Sequence, residues 1–168
     1  MKKYYIIIIA FLGCLGLQAK DMTGLKIYIN PGHGGYDSDD RNVAVYPYAQ
    51  GDTLGFWESS SNLHKGLMLR ELLQEQGATV AMSRVLNRTE DDRGLETIGR
   101  EASEWEADLF FSIHSNATGT SRRDNFPMML FRGYTENPVK PEDKVAAKIL
   151  FKHLNQTQQN PSTPTHDD

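Results

Sequence analysis

The chain has 168 residues, of which 39% are hydrophobic and 24% charged, and its 18 basic and 22 acidic residues give a net charge of -4. That length suits one domain, and the composition excludes a collagen, a low-complexity polymer and a disordered chain. The charge argues against a broadly basic nucleic-acid binder, and the single cysteine, Cys14, excludes an intrachain disulfide and a cysteine zinc finger, so any metal site must use His, Asp and Glu.

Lys2 and Lys3 precede an apolar run over residues 4–17, followed by Gln18, Ala19 and Lys20. A basic start, a short apolar stretch and a small residue describe a secretory signal peptide over residues 1–19, cut after Ala19. A spanning helix wants about 20 apolar residues, so a membrane anchor is the weaker reading. Lipidation at Cys14 is weaker still, because Phe11, Leu12 and Gly13 match a lipoprotein signal only loosely. The expected location is therefore outside the cytoplasm, in the periplasm or cell envelope. The processed chain loses Lys2, Lys3 and Cys14, keeping 16 basic and 22 acidic residues and no thiol, which suits an oxidising compartment.

Strand and helix patterns then alternate. Residues 25–30 (LKIYIN) read as a strand ending at Pro31 and Gly32. Residues 37–55 are polar and turn-rich, a long loop. Ser59, Ser60 and Ser61 offer N-caps to a helix carrying Leu63, Leu67, Leu69, Leu72 and Leu73, with Gly77 as its stop. Residues 78–84 (ATVAMSR) read as a second strand. Leu95, Ile98, Ala102 and Trp105 recur at helical spacing, and residues 108–113 (DLFFSI) read as a third, buried strand. Residues 128–132 (MMLFR) are a candidate fourth strand, and residues 141–154 a helix with Val145, Ile149 and Leu154 on one side. Residues 155–168 are polar and read as a disordered tail. The alternation is that of an α/β domain with a largely parallel sheet.

Two strand ends carry candidate chemistry. The first runs into Pro31-Gly32-His33-Gly34-Gly35 and the third into His114-Ser115-Asn116-Ala117. Ligands of open α/β sheets bind beyond the carboxyl ends of the strands, so parallel neighbours would bring His33 and His114 into one crevice. Two imidazoles without cysteine suggest a borderline metal such as zinc, which at catalytic sites takes three protein ligands. Glu58, where the first helix begins, leads modestly as third ligand, with Asp37, Asp39 and Asp40 as rivals. The glycines around His33 also suit a phosphate nest, but a polar loop rather than a helix follows them. Trp57 is a substrate platform or, better, a plug of the core or pocket wall. His64 reads as a surface residue, His153 and His166 lie near the tail, and Arg122, Arg123 and Arg132 read as solvated.

KIYINPGHGGYDSD, Glu58 before a Leu-rich helix with Asn62 and Leu63, ATVAMSR and ADLFFSIHSNA together resemble the zinc-dependent N-acetylmuramoyl-L-alanine amidases of the type 3 amidase family. PGHGG and SIHSNA are each moderately specific. In this order, with a glutamate between them and a leader ahead, they are strong together. The resemblance spans about residues 25–154. It implies a three-layer α/β fold, a mostly parallel twisted sheet flanked by helices, and one Zn2+ held by His33, Glu58 and His114. It implies hydrolysis of the amide between N-acetylmuramic acid and L-alanine in peptidoglycan. Asn116 and Trp57 are candidate substrate contacts. Peptidoglycan or muropeptides are the implied partners, with no nucleic acid and no stable membrane insertion after leader removal.

The chain also departs from the family's pattern. Ile98 and Ser103 stand where relatives often have Arg and Asn. The family's catalytic glutamate lies on a late strand in a setting like E-x-G-F-x-S-N, and no such motif follows Leu154. Glu136 and Glu142, the last glutamates, lack that context. Residues 20–154 are therefore expected to be an amidase domain missing its last strand and its general base, binding metal with weak or no catalysis. A zinc-dependent peptidoglycan-binding module is the alternative, and a metal-free α/β domain a more distant one.

Overall fold

The β-branched and aromatic run Ile27, Tyr28 and Ile29 makes Lys26–Pro31 the strand β1, and both of its faces are covered. The computed structural model describes residues 21–36, 57–115 and 127–158. Two compact units divide it, Met1–Ser115 and Asn116–Asp168.

In the first unit β1 is the central strand of a three-stranded sheet of order β2-β1-β3. It pairs in parallel with β2 (Thr79–Met82) on one side and β3 (Leu109–Ile113) on the other. The helix α1 (Glu58–Glu75) joins β1 to β2, and α2 (Leu95–Glu104) joins β2 to β3 after a 3-10 turn at Thr89–Asp91. Ile27 and Ile29 point to one face of the sheet and pack with Leu69 and Leu73 of α1. Tyr28 points to the other and packs with Ile98 and Ala102 of α2. The result is helix on sheet on helix, the expected three-layer α/β arrangement, and every described strand pairing is parallel.

The fit of α1 to the sheet is close at Gly66. A Cβ there would stand 2.9 Å from Pro31 Cγ and 3.1 Å from the Met82 methyl, so the missing side chain lets helix and strand approach. The chain leaves β1 first for β2 and then for β3 on the opposite side. The crevice beyond the carboxyl ends of β1 and β3 is thus the topological switch point, where α/β sheets bind ligands.

Several expectations need correction. The serines do not cap α1. Trp57 is its N-cap residue and makes no side-chain cap bond, while Ser59 lies inside the helix and donates to Gly35 O at 2.6 Å. β3 is not fully buried, because among the described residues it lies at the edge of the sheet, with Phe110 42% exposed. Leu95 is exposed at the first turn of α2, although Ile98 and Ala102 are buried as the spacing requires. The leader, residues 37–56 and Asn116 lie outside the described residues.

In the second unit, residues 128–132 form no strand. An apolar run alone does not distinguish strand pairing from packing on a helix. Here Met128, Met129 and Phe131 line a groove with Ala147 and Phe151 of the helix α3 (Pro141–Gln158). A short turn closes ahead of that helix, with Val139 N–H donating to Arg132 O at 3.0 Å. α3 continues past Leu154 to Gln158, through four residues expected to belong to a disordered tail. Residues 159–168 lie outside the described residues.

Candidate metal centre

His33 follows β1, His114 follows β3, and Glu58 is the first residue of α1. The parallel pairing of Pro31 with Ile113 sets the two strand ends side by side, and Gly32 N–H continues the ladder to Ile113 O at 2.9 Å. The two imidazoles meet edge to face, with centroids 4.9 Å apart and an interplanar angle of 82°. Glu58 lies between them. Its Oε2 is 3.6 Å from His33 Nε2, and its Oε1 is 3.1 Å from His114 Nδ1. One ligand atom from each residue falls within 4.8 Å of the others.

The backbone before these residues is shaped to hold them. A Cβ at Gly32 would lie 2.1–2.7 Å from three atoms of the His114 ring, so the imidazole occupies the space a side chain would fill. His33 itself has φ 60°, in the left-handed region that non-glycine residues enter at a cost of roughly 1–3 kcal/mol. Such strain persists only where neighbours fix the chain. Here Asn87 brackets the loop, its Oδ1 accepting from Gly35 N–H at 3.0 Å and its Nδ2 donating to Gly35 O at 3.4 Å.

The carboxylate is the deep end of the site. The side chain of Glu58 is 5% exposed, against 21% for His33 and 45% for His114. Burial by itself pushes this carboxyl up. Hydrogen bonds from His114, from Ser115 N–H at 2.8 Å and from Asn62 Nδ2 at 3.3 Å, together with the nearby His33, outweigh it and hold the group at about 2. Its place in the first turn of α1 favours the anion as well. Asn62 Nδ2 also reaches Gly32 O at 3.3 Å, linking the helix to the loop that bears His33.

The donor set fits zinc. Ligand atoms bound at about 2.0–2.2 Å around a tetrahedral ion stand roughly 3.3–3.6 Å apart, so one atom from each of the three residues, within 4.8 Å of one another, would draw slightly closer around it. Two imidazoles and one already ionised carboxylate are the borderline donors this ion prefers. Trp57 is 1% exposed and meets Tyr36 edge to face at 5.4 Å, so it plugs the start of α1. His64 is exposed, as its spacing implied.

Sequence reasoning missed Arg84, which is 4% exposed. Its Nε donates to Pro31 O at 2.9 Å, and its Nη2 donates to Gly32 O at 3.0 Å and to Ser59 O at 2.8 Å. The signal available was a basic residue just beyond an apolar strand that neighbours β1.

Comparison with known proteins shows the family. The family model described as N-acetylmuramoyl-L-alanine amidase (Amidase_3) matches residues 27–168. The chain belongs to this family. The sporulation-specific N-acetylmuramoyl-L-alanine amidase of Bacillus subtilis (strain 168) is 36% identical over 96 residues, 56% of this chain and 32% of that protein. The germination-specific N-acetylmuramoyl-L-alanine amidase of the same organism is 30% identical over 139 residues, 76% of this chain and 52% of that protein. Among solved structures, the amidase AmiC2 of Nostoc punctiforme aligns with a TM-score of 0.46 at 25% identity, over 60% of this chain and 49% of its own. The chain thus spans between about a third and a half of the curated amidases it matches.

Proposed function

We propose that this amidase-family chain binds one zinc ion through His33, Glu58 and His114 and acts on peptidoglycan at the amide joining N-acetylmuramic acid to L-alanine. The observation that carries the reading is the convergence of those three side chains within 4.8 Å at the end of two adjacent parallel strands. When bound, zinc supplies a Lewis acid and an activated water.

The chain's own residues prepare that chemistry. Hydrogen bonds from His114, Ser115 N–H and Asn62 keep the Glu58 carboxyl low despite its burial, so it offers its charge at neutral pH. Ser115 N–H and Asn62 fix which way its oxygens face. The exposed side of His114 leaves room for a scissile carbonyl to approach from solvent. Hydrolysis adds water to that carbonyl and returns a proton to the departing L-alanine amine, which requires an acid–base group. In the amidases this chain resembles, a second glutamate fills that role. A second reading is a zinc-dependent module that holds peptidoglycan without cutting it. A substrate in the cell wall places the protein in the envelope, and the leader-like residues 1–19 are in keeping with export. Among the described residues no helix is long and apolar enough to cross a membrane.

Native mass spectrometry of the parent chain and His114→Ala tests the site. One zinc in the parent and none in the variant is expected, and a folded parent without zinc would reject the ligand set. Incubation with purified peptidoglycan then separates the two readings. New L-alanine amino termini mean amidase activity, whereas zinc-dependent co-sedimentation without new termini means binding alone.

A further inference from the structure

We propose that Arg84 is a positioning residue for the metal site, setting the distance between His33 and Glu58. The inference rests on reading the triad as a zinc site. Its Nη2 donates both to Gly32 O, the carbonyl just before His33, and to Ser59 O, the carbonyl just after Glu58. One guanidinium nitrogen therefore ties together the chain neighbours of two ligands that come from different elements, a loop after β1 and the first turn of α1. The Nε anchors the same guanidinium to Pro31 O, the last residue of β1. On its other side Nη1 donates to Leu86 O at 3.2 Å and to Asn87 Oδ1 at 3.3 Å, and Asn87 in turn grips Gly35. His33 is thus held from both ends, at Gly32 by Arg84 and at Gly35 by Asn87.

The chemistry suits positioning better than packing. A buried charge is costly unless hydrogen-bonded, so filling space alone would favour an apolar side chain. The hydrogen bonds from Arg84 end on carbonyl oxygens around the site. The planar fork of arginine addresses separate acceptors in fixed directions, which the single ammonium of lysine does not. Groups that orient metal ligands from behind typically change metal affinity by 10–100-fold when removed.

The test is a cobalt(II) titration of the purified chain followed by its visible absorption bands, with zinc affinity from competition against a chromophoric chelator. Parent, Arg84→Lys, Arg84→Gln and Ile98→Ala are compared, each checked for folding by circular dichroism. Ile98 is buried on the opposite face of the sheet and serves as a destabilised control. The expected result is a roughly 10–100-fold loss of affinity and an altered cobalt spectrum in both Arg84 variants, with Ile98→Ala keeping the parent's affinity and spectrum. If Arg84→Gln does not fold, Arg84→Lys decides, since it keeps the charge and most of the stem. Folded Arg84 variants that bind as the parent does would overturn the proposal. So would an equal loss in Ile98→Ala, or failure of both Arg84 variants to fold, because Arg84 would then serve the fold and not the site. A folded parent that takes up neither metal rejects the metal-site reading itself, and this inference with it.

Discussion

The His114 ring lies directly over Gly32, so close that a Cβ on the glycine would stand 2.1 Å from His114 Cε1. Two residues 82 positions apart in the chain share one volume, because β1 and β3 run parallel and in register up to Pro31 and Ile113. Gly32→Ala must therefore displace the imidazole or the loop. Overpacking of this kind costs typically about 1–3 kcal/mol. The expected outcome is a modest fall in thermal midpoint and a loss of zinc that exceeds what the fall in stability explains. Calorimetry and a zinc competition assay on the same sample check both parts.

Glu58 makes the stability of the metal-free chain sensitive to acid. Its folded carboxyl sits at about 2, below the ordinary 4.5. The unfolded chain therefore takes up this proton first as pH falls. The contribution is fully present above about pH 4.5 and disappears as pH drops towards 2. Glu58→Gln is expected to flatten that part of the stability curve and to abolish tight zinc binding. Urea titrations of the metal-free parent and variant between pH 2 and 6 give the comparison. Parallel curves across that interval would reject the assignment.

The elements that place the site were legible because they rest on local patterns. The apolar run in LKIYIN follows from burial on both faces of a central strand, and the helical spacing of Ile98 and Ala102 from burial on one face of α2. The strand-end histidines followed from the parallel order, since chemistry in such sheets gathers at carboxyl ends. Glu58 was only one of several acids by spacing, because twenty-four residues separate it from His33 and distance in sequence says little about where a helix begins. Arg84 was less legible still. Its described partners include the backbone carbonyls of Pro31, Gly32, Ser59 and Leu86, which leave no side-chain signature in the sequence, beside the side chain of Asn87. The run MMLFR misled because apolar residues serve a helix-packing loop as well as a strand. The serines misled because Ser59 spends its hydroxyl on Gly35 O instead of a cap.

Tyr28 reports on the face of the sheet away from α1. Burial, then its hydrogen bond to Glu101 Oε2 at 2.9 Å and the charge of that carboxylate, push the phenol up to about 12. The neutral phenol is favoured by the fold, so its contribution is complete below about pH 10 and is lost as pH rises through 12. Absorbance at the phenolate band is expected to show a late-ionising component from Tyr28, near the alkaline unfolding transition. Tyr28→Phe removes that late component. Its persistence in the variant would mean another tyrosine is responsible.

Ile98 tests whether the two faces of the sheet are independent. It is 5% exposed and packs with Tyr28 and Ala102, whereas the triad lies beyond the strand ends. Truncation of a buried isoleucine to alanine typically costs about 2–5 kcal/mol, through lost transfer energy and the cavity left behind. No hydrogen bond described at the triad or around Arg84 passes through this residue. Ile98→Ala is therefore expected to unfold at markedly lower denaturant while binding zinc, where folded, as tightly as the parent. A coupled loss of affinity would show that the helix behind the sheet helps set the spacing of the strand ends.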